Sequence, residues 1–448
     1  MREFHELLSQ LNVRFADLRV HRTQSTALVL KDGRAEAVST GITRGFAARV
    51  LDRCWGFACS STEERLEEML EQARRAARLG EGKVRLAPVR PASYSGEVRV
   101  KKPPASFSSE EKLELLERAH SVAGEHAEIA SVTVSYHDAL VEFRYCSTEG
   151  GDVLLTYPWV SLQVQVVAKR GSTLQMAQER AGGVAGLEAL SRVEELAASA
   201  CERAIRLLDG RQAPSGRMKV VMDAKLTGVF IHEALGHAVE ADHVLRGESV
   251  LANMLGRSIA SEEVSIYDDP CIPGSAGYYL YDAEGVPAKR KALVEKGVLK
   301  SYLHTRETAG AMGQEASGNA RAQGYSFPPL PRMSNTCMQA GDAELEELLE
   351  CAGTGVYLCG SRGGEVDTAR GVFQFSAEEG FMIRNGELAE PLRDVSLSGE
   401  TLEILRKIEL VGREVEMHPG YCGKDGQLVP VGDLAPAVLT TASVGGRI

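Results

Sequence analysis

The chain has 448 residues, of which 44% are hydrophobic and 25% charged, and its formal net charge is −11. This composition excludes a disordered chain, and the length predicts two or three domains. The acidic balance argues against nucleic acid as a direct partner, because acidic surfaces do not neutralise phosphates. The first residues lack the apolar run of a signal peptide, and no apolar stretch has the length of a membrane helix. We therefore expect a cytoplasmic protein without membrane contact.

The first segment, residues 1–107, combines strand and helix patterns. Apolar and β-branched residues at every second position predict strands over 16–30 and 41–50, with a turn at Asp32-Gly33 between them. Ser61 and Glu64 form a capping-box pattern at the start of a helix predicted over 62–79. Residues 81–107 are rich in Pro, Ser, Lys and Arg, which predicts a linker or a long surface loop.

The second segment, residues 108–213, begins with another capped helix, in which Ser108 and Glu111 form the capping box. Strand patterns follow over 130–136, 139–145, 153–156 and 159–168, and an alanine-rich helix is predicted over 186–208. The order helix, meander, helix predicts an α+β fold rather than a doubly wound sheet. Residues 211–216 form the clearest domain boundary, and a third segment of residues 217–448 follows.

The third segment contains most of the glycine and one clear helix, predicted over 226–241. This helix carries the sequence HEALGH, in which His232 and Glu233 are followed by His237. Two histidines with an adjacent glutamate are typical of zinc hydrolases, where the imidazoles hold the metal and the glutamate takes a proton from metal-bound water. The familiar spacing of the two histidines is four residues, whereas here it is five.

The five-residue spacing conflicts with a regular α-helix, because residues i and i+5 point about 140° apart. A π-bulge absorbs one residue and is found mostly at functional sites, and Gly236 would ease such a distortion. We therefore predict a bulged or overwound helix between His232 and His237. On an undistorted helix, Glu233, His237 and Glu240 would instead share one face, either as a carboxylate–histidine metal site or simply as a polar face.

The nine cysteines show no pattern of their own. Their number is odd, their spacings are irregular and no C-x-x-C occurs. A disulfide framework is therefore not expected, and most of the cysteines are predicted to be reduced thiols.

Several blocks in a fixed order resemble the TldD/PmbA family, and in particular its TldD branch. They are HEALGHAVEAD (232–242), SGNARAQGYSFPPLPRMSNTCM (317–338), GGEVDTARGVFQFSAEEGFMIRNGEL (363–388), CGKDGQLVPVG (422–432) and SVGG (443–446). The resemblance covers essentially the whole chain and is strongest after residue 217. It implies an N-terminal α/β domain with a curved antiparallel sheet, followed by a β-rich C-terminal metalloprotease domain.

In TldD-type members of this family, two histidines and a distant cysteine bind zinc. The resemblance assigns these roles to His232, His237 and Cys422, with one Zn²⁺ per active subunit, and makes Glu233 the general base and later the proton donor. Two imidazoles and a thiolate suit Zn²⁺ and leave a coordination position open. Lys424 could lower the pKa of the thiol. Cys359 is an alternative thiol ligand, although Cys422 matches its family block better.

Further residues are candidates for substrate contact or for orienting a ligand. Glu240 is placed to accept the second imidazole N–H of His237. Arg321 and Tyr325 lie in a distinctive block and are candidates for oxyanion stabilisation, although a loop that only packs against the site is an equal alternative. Gly363 and Gly364 are a candidate strand edge for pairing with an extended peptide.

The expected function is that of a zinc-dependent metalloprotease that hydrolyses peptide bonds in unfolded or small peptides. The resemblance further implies a homodimer, or a heterodimer with a PmbA-type partner. Family members have also been described as modulators of DNA gyrase, but the charge balance does not support a direct DNA contact. Two alternatives stay open. One is a non-catalytic assembly or regulatory subunit, and the other is a zinc peptidase similar to dipeptidyl peptidase III, whose HELLGH motif resembles HEALGH over six residues.

Overall fold

The computed structural model describes residues 2–124 and 126–446. Residues 1, 125, 447 and 448, which belong to the predicted segments, lie outside the described ranges. The described chain forms two large β-sheets with helices packed against them, which confirms the predicted α+β class. One sheet comes from the first half of the chain and the other from the second half. Within the described ranges, no helix has both the length and the apolar character that a membrane crossing requires.

The first half of the chain alternates strands and helices, with one long irregular stretch over residues 77–92. In chain order they are Arg2–Ser9 (α1), Phe15–Lys31 (β1), Arg34–Leu51 (β2), Trp55–Ser60 (β3), Leu66–Ala76 (α2), Ser93–Glu97 (β4), Ser109–Gly124 (α3), Ile129–Ser147 (β5), Asp152–Arg170 (β6), Thr173–Gly183 (β7) and Val193–Asp209 (α4).

The second half of the chain is richer in strands. Its elements are Arg211–Gln212 (β8), Gly216–Met222 (β9), Ala224–Ile231 (α5), Ala241–Arg246 (α6), Ile266–Asp268 (β10), Lys291–Glu295 (β11), Val298–Leu299 (β12), Arg306–Met312 (α7), Ala320–Arg321 (β13), Leu330–Pro331 (β14), Asn335–Met338 (β15), Leu345–Ala352 (α8), Thr354–Asp367 (β16), Val372–Arg384 (β17), Glu387–Arg393 (β18), Val395–Glu400 (β19), Thr401–Arg406 (α9), Leu410–Lys424 (β20) and Gln427–Gly446 (β21).

The N-terminal sheet has the strand order β3-β2-β1-β5-β6-β4, and β7 also pairs with β6. Strands from the first and second predicted segments are adjacent in it, because β1 pairs with β5 from Asp17↔Ser147 to Lys31↔Thr133. Helices α3 and α4 pack against one face of this sheet. Burial of apolar side chains between these helices and the sheet stabilises this half, as does a second apolar cluster beneath α1 and α2.

Two pairs of predicted strands merge into single long strands. The patterns at 130–136 and 139–145 form β5, and those at 153–156 and 159–168 form β6. Asp138 interrupts the apolar alternation, but Lys112 neutralises it at 2.7 Å within the core. Pro158 pairs with Leu140 of β5, but on the opposite edge of β6 it lies in a gap, because pairing with β4 ends at Thr156 and pairing with β7 begins at Val160. Strand β7 was not predicted, and β4 lies inside the predicted linker.

The two capping-box predictions have different outcomes. Ser108 and Glu111 form the box, with the Ser108 N–H donating to Glu111 Oε2 at 2.7 Å and the Glu111 N–H donating to Ser108 Oγ at 3.2 Å. The prediction of a box at Ser61 and Glu64 was wrong. A 3₁₀ turn over Glu63–Arg65 leads into α2, and no side chain caps either start. The chain therefore enters this helix through a tightened turn instead of a side-chain cap.

The C-terminal sheet contains twelve strands within the described residues. Its central strands carry or pack against the residues of the candidate site. Strand β21 pairs with β20, β9, β19 and β15, and helix α5 packs against β21 and β16. The two sheets are joined by buried ion pairs. In one of them, Arg203 of α4 donates to Glu379 of β17 at 3.1 Å. Such pairs make the relative placement of the two sheets costly to change.

Candidate metal centre

The helix that carries HEALGH begins at a side-chain cap and ends in a distortion. Asp223 accepts the Leu226 N–H at 2.6 Å at the start of α5. After Ile231 the backbone changes to a π-helix over His232–Gly236 and then to a 3₁₀ turn over His237–Val239. The predicted bulge between His232 and His237 is therefore confirmed. The wider π-turn brings the two imidazoles to the same side, with ring centroids 5.4 Å apart.

Gly236 is required for space and not for backbone freedom, contrary to the sequence-based explanation. Its φ of −55° and ψ of −51° are ordinary helical values. A Cβ at this position would lie 1.9 Å from the sulfur of Met333. Met333 thus fills the room beside the π-helix that a side chain would need.

Cys422 reaches the same place from the C-terminal hairpin. It lies in β20, opposite Val429 of β21, and its Sγ is 3.4 Å from His237 Nε2. The potential ligand atoms of His232, His237 and Cys422 all lie within 4.8 Å of one another, and all three residues are buried. The structure therefore brings together the three residues that the resemblance indicated as zinc ligands.

Each imidazole is oriented by a carboxylate on its Nδ1. His237 Nδ1 is 2.9 Å from Glu240 Oε2, the partner expected from the sequence, and His232 Nδ1 is 3.0 Å from Asp433 Oδ1. With Nδ1 held by a carboxylate, each Nε2 is the nitrogen left for a metal, which binds once the Nε2 proton is displaced. Sequence reasoning missed Asp433. Its only signal is a single acidic residue in the apolar run that follows the CGKDGQLVPVG block.

The charges of the cluster favour the ligand form of the thiol. Burial by itself raises the pKa of the Cys422 thiol, but the adjacent His232 and His237 imidazoles outweigh it and hold that pKa well below its usual range. Burial lowers the pKa of His237, whereas Glu240 and the thiol raise it, with a net result of about 10. Burial likewise raises the pKa of Glu240, but His237 and Lys424 bring it to about 2. The result is a thiolate beside protonated imidazoles with ionised carboxylate partners, so a metal would bind there by displacing the Nε2 protons.

Lys424 has a different partner from the one the sequence suggested. Its Nζ lies 3.1 Å from Glu240 Oε2 and 2.7 Å from Asp242 Oδ1. It therefore stabilises the ionised carboxylate behind His237, and the imidazoles are what lower the pKa of the thiol. Arg332, which is fully buried, donates to the Cys422 carbonyl at 2.6 Å and holds the backbone of that strand.

Glu233 is the acidic group with access to solvent at the cluster. Its side chain is 29% exposed, and its Oε2 lies 3.8 Å from His237 Nε2. A carboxylate that is close to the donor atoms but outside the buried set can exchange protons with a molecule bound there. In the alternative set, Glu233 and Glu240 each lie near one nitrogen of His237, but the donor atoms that converge within 4.8 Å are those of His232, His237 and Cys422.

Arg321 and Tyr325 lie on the wall of a cavity of about 490 Å³, which the three residues of the cluster do not line. Arg321 donates to the carbonyls of Met333 and Pro430, each at 2.7 Å, and so ties two segments together. The Tyr325 ring packs against β2, where a Cβ at Gly45 would lie 2.3 Å from it. Neither side chain joins the three-residue group.

Gly363 and Gly364 lie in the outer part of β16. The register with β17 shifts between Ser361 and Gly364, and Gly363 is bulged with a φ of +99°. Strand β9 pairs with β16 only over residues 355–358, so the outer part of β16 has a free edge within the described chain. Cys359, the alternative thiol, is buried at the base of this part and does not join the histidines in the described structure.

The donor set fits zinc chemically. Two imidazoles and one thiolate are ligands that Zn²⁺ prefers, and three protein ligands leave a position for a reacting molecule. The fold and this donor set define a mixed α+β protein with a candidate mononuclear metal centre.

Comparisons with known proteins place this arrangement in a family. The chain matches the PmbA/TldA metallopeptidase domain 1 over residues 16–77, the central domain over 102–208 and the C-terminal domain over 215–446. The chain belongs to the TldD/PmbA family of metallopeptidases.

Relatives resemble the chain over nearly its full length. A protein of Methanothermobacter thermautotrophicus named metalloprotease is 45% identical over 438 residues, which are 97% of this chain and 96% of the relative. A zinc metalloprotease TldD homolog of Saccharolobus solfataricus is 32% identical, with 98% of each chain covered.

Solved structures share the fold. A Thermotoga maritima protein described as a candidate modulator of a DNA gyrase has a TM-score of 0.84 at 25% identity, covering 99% of this chain and 100% of its own. TldE from Thermococcus kodakarensis has a TM-score of 0.81 at 18% identity, with 99% and 98% covered, and supports the fold alone.

Proposed function

We propose that the protein is a zinc-dependent peptidase that hydrolyses peptide bonds in unfolded or small peptides. The observation that carries this proposal is the π-helix that turns His232 and His237 toward the same distant thiol. A distorted helix costs hydrogen-bond geometry, and a buried thiolate costs desolvation. Both costs are offset when the three donors share a metal ion.

His232, His237 and Cys422 would hold the zinc ion. When bound, zinc supplies a Lewis acid that polarises the scissile carbonyl and makes water a stronger nucleophile at neutral pH. Asp433 and Glu240 keep the two imidazoles in the tautomer that presents Nε2. These carboxylates therefore act on the reaction through the orientation of the ligands.

Glu233 would move the proton. Its carboxylate takes the proton of the attacking water and later delivers it to the leaving amine, which becomes the new N-terminus. The partial exposure of this side chain next to buried donors supports the assignment, because the proton carrier must reach both the substrate and the cluster.

Access to the cluster favours extended substrates. The three donors are buried, so the surface of a folded protein cannot approach them. The free edge of β16 near Gly363 and Gly364 offers backbone groups to an extended chain, which would bind with little dependence on side chains.

We also propose that the chain acts as a dimer, either with a second copy or with a PmbA-type partner. Over residues 34–44, the edge of β2 that faces away from β1 is exposed and has no strand partner in the described chain. Val38 and Ile42 of this segment are 59% and 61% exposed. Proteins usually cover such an exposed apolar strand edge. All nine cysteines lie within the described residues and are free, which fits a reducing compartment such as the cytoplasm.

The test combines metal analysis with cleavage of an unstructured peptide. We expect wild type to bind one zinc per chain and cleave, Glu233→Gln to keep zinc and lose at least about 100-fold in cleavage rate, and Cys422→Ala to lose zinc. Matched controls are Glu262→Gln and Cys351→Ala, two exposed positions away from the cluster. Cleavage by Glu233→Gln at the wild-type rate would refute the role of this residue. A wild-type protein that binds no zinc and cleaves nothing, even with a partner subunit, would favour the non-catalytic alternative.

A further inference from the structure

The cavity beside the metal cluster lies between the two halves of the chain. One side is formed by the N-terminal sheet, including Trp159 of β6, and the other by segments of the C-terminal half. Its volume is about 490 Å³, a size that accommodates a small ligand or a few residues of a peptide. The strand that carries Cys422 forms part of the wall, because the neighbouring Tyr421 and the opposite Val429 both line it. The cavity therefore shares a strand with the proposed reaction site, although His232, Glu233, His237 and Cys422 do not line it.

The wall is unusually aromatic for this chain. Aromatic residues make up only 6% of the sequence, yet they recur on every side of the cavity. Rings from the N-terminal sheet face rings from the C-terminal half, as in the pair Trp159 and Tyr421, whose centroids are 6.0 Å apart at 54°. The rings that matter for the argument are Phe143, Tyr157, Trp159, Tyr279, Tyr325 and Tyr421. Such a wall favours another aromatic ring, through burial and edge-to-face contacts.

The charged groups on the wall are already engaged. Arg321 donates to two backbone carbonyls and lies over the Tyr279 ring, with its Cζ 5.3 Å from the centroid. Asp282 accepts backbone N–H groups from Glu284 and Ala320 at 2.9 and 3.0 Å. A charged substrate side chain would have to compete with these contacts while losing its own hydration.

Two polar atoms of the wall residues, the indole Nε1 of Trp159 and the imidazole Nε2 of His21, form no hydrogen bond within the described residues and have almost no accessible surface. A ligand in the cavity therefore meets the rings of these residues and not their nitrogen atoms.

We propose that this cavity is a substrate subsite that selects an aromatic side chain near the scissile bond, with the Trp159 ring packing against that side chain. The proposal rests on the proposed peptidase function and adds the substrate class to it. Backbone pairing at the β16 edge would accept extended chains broadly, whereas the cavity would select one aromatic side chain of the substrate. The two contribute separately to binding.

The cleavage test uses unstructured peptides that differ at one position, with Phe, Ala, Lys or Asp, and mass spectrometry to locate the cut. We expect kcat/KM for the Phe peptide to exceed that for Ala by at least about tenfold, with Lys and Asp lower still. Trp159→Ala should abolish this preference, and Trp159→Phe, which keeps a ring at this position, should keep the preference for Phe. Trp55→Phe, the substitution of a tryptophan outside the cavity, should keep the profile. Zinc content verifies that each variant is folded.

A binding test separates the subsite from the reaction. Glu233→Gln combined with Trp55→Phe leaves Trp159 as the sole tryptophan, and its fluorescence should change on titration with the Phe peptide but not with the Asp peptide. Equal cleavage of the Phe, Ala and Asp peptides would overturn the subsite and leave the peptidase function intact. A preference for Asp would overturn it in favour of recognition by Arg321. If no peptide is cleaved, the peptidase proposal fails, and the fluorescence titration alone decides whether the cavity binds aromatic side chains.

Discussion

The carboxylate of Asp433 lies 3.0 Å from Nδ1 of His232, although 201 residues separate them in the chain. The other imidazole has its carboxylate only three residues away, at Glu240. The two histidines of one motif are therefore oriented by partners of very different origin. Strand β21 supplies the distant partner, and its neighbour β20 supplies Cys422. One hairpin thus provides both a ligand candidate and the orientation of another.

We expect Asp433→Asn to weaken zinc binding by about 10- to 100-fold, because the amide cannot act as a charged acceptor for the His232 N–H. Competition with a chromogenic chelator measures the affinity. Asp425→Asn is the matched control, since Asp425 is exposed at the turn of the same hairpin. Equal affinities of Asp433→Asn and wild type would show that the contact does not orient the ligand.

We expect Gly236→Ala to destabilise the protein by about 1–3 kcal/mol, because the added methyl collides with the Met333 sulfur. Urea unfolding measures this cost. Adding Met333→Ala should relieve part of it, so that the double variant is more stable than the sum of the two single effects predicts. Gly423→Ala, where a Cβ would meet open space, should leave the stability unchanged. Strict additivity in the double variant would contradict the steric explanation.

The carboxyl group of Asp223 should make stability depend on pH. Burial raises its pKa from 3.8 to about 6, against the opposing effect of N–H groups of Leu226 and Gly360 and of the nearby Lys225 and His418. Because the folded state binds this proton more tightly than the unfolded state, the contribution is fully present below pH 3.8 and is lost as the pH rises through about 6.

Asp223→Asn removes this titration while keeping an N-cap residue. Relative to this variant, wild type should therefore lose up to about 3 kcal/mol of unfolding free energy between pH 4 and pH 7. Urea unfolding at several pH values measures this difference, with Asp425→Asn as the control. A difference that is constant over this range would show that Asp223 does not titrate there.

The exposed edge of β2 should mediate association. Val38→Lys and Ile42→Lys place charge on this edge, and we expect each to weaken dimerisation by at least about tenfold, because a charged edge strand resists pairing. Light scattering across a concentration series measures the dissociation constant. Leu388→Lys, at an exposed apolar position on β18, should not change it. Unaltered dimers in both edge variants would place the interface elsewhere.

Local sequence was enough to predict much of the fold. The period-two pattern at 16–30 predicts β1, and the Ser108–Glu111 box is formed as expected. If both histidines share a metal, their five-residue spacing predicts a bulged or overwound helix, because a regular α-helix points them about 140° apart, and the π-helix fulfils this prediction. Local patterns failed where a tertiary contact compensates for a polar residue within an otherwise apolar strand. Asp138 stays within β5 because Lys112 neutralises it, and this pairing joins residues from different elements.

The sequence by itself determined the composition of the candidate site, since HEALGH and the block around Cys422 carry recognisable chemistry. It could not place Asp433 behind His232, show that Lys424 serves Glu240, or form the aromatic cavity between the two halves. Each of these depends on strands and loops that are far apart in the chain and adjacent only after the sheets have formed. Residues in such contacts show no periodicity or spacing relative to one another, so only the tertiary structure decides which of them meet.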